Sequence, residues 1–167
     1  MRRREFLMAD DLYCIDASAL IDLGKYFPRK VFPTVWDNLE ALIQEGRLFA
    51  PDEVFREVEK DDVAGPWAKQ NKKLFRKPDQ EQIDAAQKVV ARFPSLAKPG
   101  KFGPAADPFV VGLARLEGEK LSRSLLGSQA KCKVVSGDRG IRHACATSGM
   151  TCVSLIELFQ QEGWVFK

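Results

Sequence analysis

Histidine and cysteine are scarce in this sequence of 167 residues, which contains one histidine, His143, and four cysteines. The cysteines form no C-x-x-C pair and lie in or beside apolar segments; they are Cys14, Cys132, Cys145 and Cys152. This composition excludes a standard zinc site and a dense disulfide framework. We therefore expect reduced thiols packed in the core.

Long apolar runs are also missing, since none approaches the roughly 20 residues that span a bilayer. The basic start, Arg2 to Arg4, leads into a segment interrupted by Glu5 and Asp10, unlike the apolar region of a signal peptide. We predict a cytoplasmic protein with no membrane partner. Its length and its 45% hydrophobic content predict a single domain over residues 1–167.

The signatures of several enzyme classes are absent as well. The sequence contains no phosphate-binding loop of the form GxxxxGK[ST] and no nucleophile elbow or Ser-His-Asp set. These absences argue against a P-loop nucleotidase and against a serine hydrolase. The site has to be sought among other residue types.

The net charge of +3 is a mild basic surplus that by itself decides little. Its distribution is more informative, because one basic run encloses an aromatic residue, Phe75, and such a run suits phosphates and a stacked base. A solvated helix face explains the same run. The predicted nucleic-acid-binding residues are Lys69, Lys72, Lys73 and Arg76, together with Arg139 further along the chain.

Strand and helix patterns alternate along the chain. Short apolar runs predict strands at 13–15, 47–50, 133–136 and 151–155. Helical spacing of apolar residues, with caps and breakers, predicts helices at 18–25, 33–45, 51–65, 79–93, 108–116 and 141–147, with a helical insert around 60–104. This alternation predicts an α/β domain with a central parallel sheet, because parallel neighbours need crossover connections that are usually helical.

Acidic residues occur where the predicted strands end. Asp16 follows the first strand and Asp138 follows the strand at 133–136, while Glu57 and Asp107 lie on helices that should begin at the same edge. Ligands of an open parallel sheet bind beyond the carboxyl ends of its strands. Four carboxylates at one edge would repel one another unless a cation relieved the site. We therefore predict a Mg²⁺ or Mn²⁺ site that hydrolyses phosphodiesters.

Each acid also has a local explanation. Asp16 fits a turn, Asp138 fits a turn, and Asp107 before a proline fits a helix N-cap. Glu57 fits a surface acid. The metal-site interpretation rests on the set of four, and not on any one of them.

The ordered motifs resemble those of the PIN domain. The motifs are Asp16-Ala17-Ser18 after a strand, Glu57 six residues after Pro51 in "PDEVFREV", Asp107 in "ADPFVVGLA" and Asp138 in "VVSGDRG". The resemblance extends over nearly the whole chain, and the sequence is similar to a poorly characterised PIN-like subfamily. It implies a Rossmann-like three-layer α/β fold, a parallel sheet flanked by helices, with the four acids around one or two Mg²⁺ or Mn²⁺ ions.

The same resemblance implies a function and supporting residues. PIN domains are metal-dependent nucleases, and many are toxins of toxin–antitoxin pairs, so we expect an endoribonuclease with an RNA substrate and a cognate antitoxin protein. Ser18 and Ser136 take supporting roles. Glu53, on the same helical face as Glu57, competes for the second acidic position, and we assign catalysis to Glu57 and support to Glu53.

Two other functions remain open. A phosphatase of the haloacid dehalogenase type also has an aspartate after its first strand, but Ser18 stands where its second acid is expected. A PIN-like fold that binds RNA or a protein without cutting is the other. An aromatic cluster around the first two helices suggests a homodimer or a small inhibitory partner, although core packing explains it nearly as well; its members are Tyr26, Phe27, Phe32 and Trp36.

Overall fold

The structure is a computed structural model that describes residues 10–98, 105–124 and 129–166. Its strands are β1 Leu12–Ile15, β2 Leu48–Pro51, β3 Phe75–Arg76, β4 Cys132–Val135 and β5 Cys152–Val153. Its α-helices are α1 Ala17–Tyr26, α2 Pro33–Gln44, α3 Asp52–Val58, α4 Ala64–Gln70, α5 Gln80–Arg92, α6 Asp107–Ser124, α7 Arg139–Thr147 and α8 Leu155–Gln161.

The strands form one parallel sheet in the order β3-β2-β1-β4-β5. Tyr13 pairs with Leu48 on one side of β1, and Ile15 pairs with Val135 on the other. The chain therefore runs from β1 toward one edge and returns to β4 and β5 on the opposite side. The carboxyl ends of β1 and β4 meet at this change of direction, where open α/β sheets bind ligands.

Helices cover the sheet in a Rossmann-like three-layer arrangement, which confirms the predicted fold class. Helix α6 packs on β1, β2 and β4, and α5 packs on α6. Helices α1, α3 and α4 contact one another, and α2 contacts β2. The strands β1 and β2 are buried almost throughout, which explains why they read as continuous apolar runs and not as alternating ones.

Several helix boundaries lie where the sequence predicts them. Pro33 begins α2, and Gly46 (φ 73°) and Gly149 (φ 69°) follow α2 and α7 in the left-handed conformation that glycine favours. The first helix begins differently from the prediction. Its N-cap is Asp16, not Ser18, and Oδ1 of Asp16 accepts a hydrogen bond from the N–H of Ala19 over 2.8 Å.

One predicted helix end was wrong. Gly65 and Pro66 were expected to end the helix that starts at Pro51, but α3 ends at Val58, and these two residues lie in the first turn of α4. A Cβ at Gly65 would approach the carbonyl oxygen of Glu59 to 2.5 Å, so this close contact requires glycine. Proline is tolerated there because a first-turn N–H needs no intrahelical partner.

Two elements were not predicted. Strand β3 lies inside the segment expected to be a helical insert, and it extends the sheet by pairing with β2. The described part of that segment also contains α4 and α5, while 99–104 lie outside the described residues. Helix α8 replaces the end of the strand predicted at 151–155, because Ser154 forms a capping box with Glu157.

Of the two explanations for the aromatic cluster around the first two helices, a partner surface and core packing, the structure favours core packing. Trp36 is 2% exposed, and its indole N–H donates to the carbonyl oxygen of Phe27 over 2.7 Å. Phe27 and Phe32 pack against the core, and their rings make an edge-to-face contact. Tyr26 alone of the four is mainly exposed, at 57%. The cluster therefore belongs mostly to the core.

The expectation for the cysteines is confirmed, since all four are free thiols, three of them buried. Across the described ranges, no helix is both long enough and apolar enough to cross a membrane.

Candidate functional site

Asp16 lies at the carboxyl end of β1 and is 2% exposed. Its Oδ1 caps α1, while its Oδ2 accepts hydrogen bonds from the hydroxyls of Ser18 (2.8 Å) and Ser136 (2.5 Å). A carboxylate offers about four lone-pair directions, so one remains for a further donor or a cation. These contacts are compatible with both interpretations of Asp16 from the sequence, a local turn residue and a member of a site.

Ser136 connects the ends of β1 and β4. While its hydroxyl donates to Asp16, its Oγ accepts the backbone N–H of Asp138 over 3.0 Å. Asp138 is the N-cap of α7, where its Oδ2 accepts the N–H of Ile141 over 2.9 Å. Asp16 and Asp138 are therefore held on neighbouring strands by one buried serine.

Glu57 and Asp107 are brought together by a backbone contact. The N–H of Ala106 donates to Oε1 of Glu57 over 3.0 Å, which ties α3 to the start of α6. Asp107, the first residue of α6, accepts no hydrogen bond from the residues that the structure describes. Its carboxylate thus differs from the other three in having no protein donor among them.

The electrostatics place all four acids in one region. Burial raises the pKa of Asp107 to about 7, and the negative charges of Asp138, Asp16 and Glu57 add to that rise. Burial also raises the pKa of Asp16, although hydrogen bonds from Ser136, Ala19 and Ser18 oppose the rise. Two acids with raised pKa values at the carboxyl edge of a parallel sheet make this edge the candidate site. We call it the acidic rim, defined by Asp16, Glu57, Asp107 and Asp138.

Glu53 lies one turn before Glu57 in α3 but has a different environment. It is 8% exposed, and its Oε2 has no hydrogen-bond partner among the described residues. Burial raises its pKa. Of the two glutamates, only Glu57 is among the charges that raise the pKa of Asp107, which favours Glu57 as the member of the rim.

The predicted nucleic-acid-binding residues separate into two regions. Lys69, Lys72 and Lys73 are exposed and precede β3, and Nζ of Lys73 lies 3.3 Å from Oε1 of Gln44 at the end of α2. This is the amino end of the strands, opposite the acidic rim. Arg139, in contrast, is exposed and follows Asp138 directly.

Arg76 is engaged within the protein. Its guanidinium carbon lies 4.2 Å from the ring centroid of Phe49, and Nη1 lies 3.1 Å from Oε1 of Glu117 on α6. Arginine stacked on an aromatic ring and paired with a carboxylate stabilises the packing of β3 on α6. These internal contacts explain the residue without a contact to nucleic acid.

A family model described as a domain of unknown function, DUF4411, matches residues 13–166. The chain belongs to this family. The match begins in β1 and continues past α8, so it includes all four acids of the rim. Among curated proteins, none matches the chain.

The rim of this DUF4411 domain offers the type of ligand that divalent cations bind, but its side chains are not arranged as a preformed metal site. Mg²⁺ and Mn²⁺ prefer oxygen ligands, and the rim offers carboxylates whose mutual repulsion a cation would relieve. However, within the parts of the chain that the structure describes, no group of three or more acidic, histidine or cysteine side chains is arranged to hold a metal ion. Binding would therefore require the carboxylates to draw together.

Sequence reasoning missed two backbone features of the rim. The N–H of Ala106 positions Glu57, and Gly140 allows close approach because a Cβ there would lie 3.1 Å from Oδ2 of Asp138. Neither feature involves a chemically distinctive side chain. The only signal in the sequence is their position next to Asp107 and Asp138.

Proposed function

We propose that this domain is a metal-dependent nuclease that hydrolyses phosphodiester bonds at the acidic rim. The observation that carries the proposal is the environment of Asp107, whose pKa is raised to about 7 by burial and by three neighbouring carboxylates. Mutual repulsion within such a group of acids lowers the stability of the fold unless the group binds a cation or holds a proton. The four side chains of the rim offer only carboxylate oxygens, which favour Mg²⁺ or Mn²⁺.

The side chains have distinct parts in this proposal. Asp16, Glu57, Asp107 and Asp138 would hold the cation, which would polarise the phosphate and acidify a water molecule. Ser136 orients Asp16 and the backbone of Asp138. Ser18 adds a second donor to Asp16. Arg139, exposed beside Asp138, suits a phosphate next to the rim.

We further propose that the substrate is RNA and that the protein acts in the cytoplasm as a toxin-type endoribonuclease, controlled by a cognate antitoxin protein. The support for this step is the resemblance of the four acidic motifs to PIN domains. A homodimer is compatible with the same proposal. The mainly buried position of Trp36 and Phe27 leaves Tyr26 as the aromatic residue available to a partner.

The decisive experiment compares three substrates with one preparation of the protein. A panel of single-stranded RNAs, a matched DNA panel and p-nitrophenyl phosphate are incubated with Mg²⁺, with Mn²⁺ or with EDTA. We expect metal-dependent RNA cleavage, loss of that cleavage in Asp16→Asn, and no turnover of the phosphate monoester. Turnover of the monoester alone would identify a phosphatase and contradict the proposal.

Asp16→Asn is a sharp test because asparagine remains a good N-cap for α1. It keeps an acceptor for the N–H of Ala19 while removing the charge. Asp62 is an exposed acid that is not among the charges raising the pKa of Asp107, so Asp62→Asn is the matched control and should leave cleavage unchanged. Equal cleavage by a folded Asp16→Asn protein would remove Asp16 from the mechanism.

A second candidate function, binding without cleavage, is favoured by the lack of a ready-made metal cluster among the described residues. In that case Asp16 and Asp138 act only as helix caps. RNA binding without cleavage under any metal condition would support this candidate over the nuclease.

A further inference from the structure

A groove of about 310 Å³ opens next to the acidic rim, between α1 and the corner where β5 leads into α8. Ala19, Asp22 and Tyr26 form one wall, since these residues lie on one face of α1. Leu155 and Ile156 form the other wall. The volume is at the lower end of the ~300–1,000 Å³ typical of small-molecule sites, so it suits one planar ring system with its sugar.

The groove is continuous with the acidic rim. Ala19, which lines the groove, donates its N–H to Asp16. Gly137 also lines the groove, and it lies in the chain between Ser136 and Asp138. A nucleic-acid strand whose phosphate lies at the rim would therefore carry its neighbouring nucleotide into the groove.

The walls of the groove suit a flat apolar face. Tyr26 is 57% exposed and Ile156 is 50% exposed, so neither side chain is needed to fill the core. Nζ of Lys25 lies over one face of the Tyr26 ring, 5.1 Å from its centroid, so a base stacks on the opposite face of the ring. Exposed aromatic rings flanked by basic side chains are the common stacking surface for unpaired bases.

Asp22 adds a directional polar group to these walls. It lies one helical turn before Tyr26, and it makes no hydrogen bond or ion pair with the residues that the structure describes. Its two oxygens are acceptors only. A carboxylate in this position selects a ligand edge that carries parallel N–H donors.

We propose that this groove binds an unpaired guanine base of the RNA strand that is cut at the acidic rim. The inference rests on the proposed nuclease function and adds to it the identity of the base beside the scissile phosphate. The ring stacks on Tyr26, and its N1–H and N2–H donate to the carboxylate of Asp22. Adenine, cytosine and uracil each present fewer such donors on that edge, so they bind more weakly.

In the test, the full chain is titrated with each of the four nucleoside 5′-monophosphates in the presence of EDTA. Binding is measured from the amide chemical shifts in NMR spectra. We expect GMP to shift the amides of Ala19, Gly137 and Ile156, and to bind more tightly than AMP, CMP or UMP. Because no cleavage or divalent ion is needed, this measurement is independent of turnover. Equal shifts for all four nucleotides, or shifts only elsewhere, would overturn the proposal.

Variants separate stacking from base selection. Tyr26→Ala should weaken GMP binding by about five- to a hundredfold, the range expected for loss of one stacking ring, while Tyr26→Phe retains it. Asp22→Asn should abolish the preference for GMP over AMP. Val31→Ala, at a residue that is 66% exposed and outside the groove, and Asp62→Asn are the matched controls.

The outcomes distinguish this inference from the proposed function. Metal-dependent RNA cleavage with no guanine preference and no effect of Tyr26→Ala would overturn the groove assignment and leave the nuclease intact. GMP binding in the groove with no RNA cleavage under any condition would overturn the nuclease instead. A concentration-dependent mass that disappears in Tyr26→Ala, without nucleotide binding, would assign the groove to a contact between copies and contradict the proposal.

Discussion

The hydroxyl of Ser136 lies 2.5 Å from Oδ2 of Asp16, joining the ends of two neighbouring strands across 120 positions of the chain. Oγ of Ser136 also accepts a hydrogen bond from the N–H of Asp138. One buried hydroxyl therefore sets the relative positions of two acids that the sequence places far apart. Ser136 is 1% exposed, so water cannot replace either contact easily.

Ser136→Ala should destabilise the protein by about 1–3 kcal/mol, because the buried carboxylate of Asp16 loses one of its three donors and the N–H of Asp138 loses its acceptor. If the nuclease proposal holds, metal-dependent cleavage should also fall by about 10- to 100-fold, the usual cost of removing an outer partner of a metal ligand. Ser18→Ala is the matched control, since Ser18 also donates to Asp16 but is partly exposed. Urea unfolding and cleavage kinetics measure the two effects; equal losses in both variants would contradict a special role for Ser136.

Glu57→Gln should reduce turnover more than Glu53→Gln at saturating metal. Glu57 contributes to the raised pKa of Asp107 and is held by the N–H of Ala106, whereas Glu53 has a buried oxygen without a partner. Glu53→Gln should instead raise the stability of the folded protein at neutral pH, because burial disfavours the charged carboxylate that the variant removes. Side-by-side kinetics and thermal melts test both statements. A larger loss of turnover in Glu53→Gln would reverse the assignment.

Asp107 should make the metal-free protein less stable as the pH rises from about 4 to about 7. Its folded-state pKa of about 7 lies above the ordinary value of 3.8, so the native state binds the proton more tightly than the unfolded state in this interval. Stability is therefore highest below the unfolded pKa and is lost as the pH rises through the folded pKa. Asp107→Asn should remove this part of the pH dependence.

At pH 8 the Asp107→Asn protein should exceed the wild type in stability by about 1–3 kcal/mol, allowing for solvent screening of a partly exposed group. Thermal melts from pH 4 to pH 8 measure the difference, with Asp62→Asn as the control. Mg²⁺ should raise the melting temperature of the wild type at pH 8 and have a smaller effect on the variant. If the difference in stability between the wild type and Asp107→Asn does not change with pH, the raised pKa of Asp107 is contradicted.

Arg139→Ala should weaken RNA binding more than Lys72→Ala. Arg139 is exposed at the acidic rim, whereas Lys72 lies at the opposite end of the strands. Removing one phosphate contact should also lower the slope of log affinity against log salt by about 0.7 for a single strand. Filter binding or anisotropy over a salt series measures both quantities. The reverse order would place the RNA on the basic run before β3.

Local signals were enough for much of the fold. Nearby residues set the apolar runs of β1, β2 and β4 and the helix ends at Gly46 and Gly149, so the sequence predicts these features. The alternation of these elements predicted a parallel α/β sheet, and the order of the strands then places Asp16 and Asp138 on neighbours. The position of the acids after the strands could thus be read from the chain itself.

Other features depend on contacts between distant segments. Strand β3 has two residues and exists through its pairing with β2 and the edge-to-face contact of Phe55 with Phe75. No periodic pattern can be detected in so short an element. The same holds for Gly65, whose close approach to Glu59 is visible only when α3 and α4 are packed.

The sequence by itself determined the fold class and the strands β1, β2, β4 and β5, and it placed Asp16 and Asp138 directly after two of these strands. Only the tertiary structure decided that Asp16 caps α1, that Trp36 is buried, and that Lys72 lies away from the rim. It also decided the pKa of Asp107, because burial and through-space repulsion depend on which side chains meet. The physical reason for the division is range: hydrophobic periodicity and capping act over a few residues, whereas burial and electrostatics act between segments that meet only when the sheet has formed.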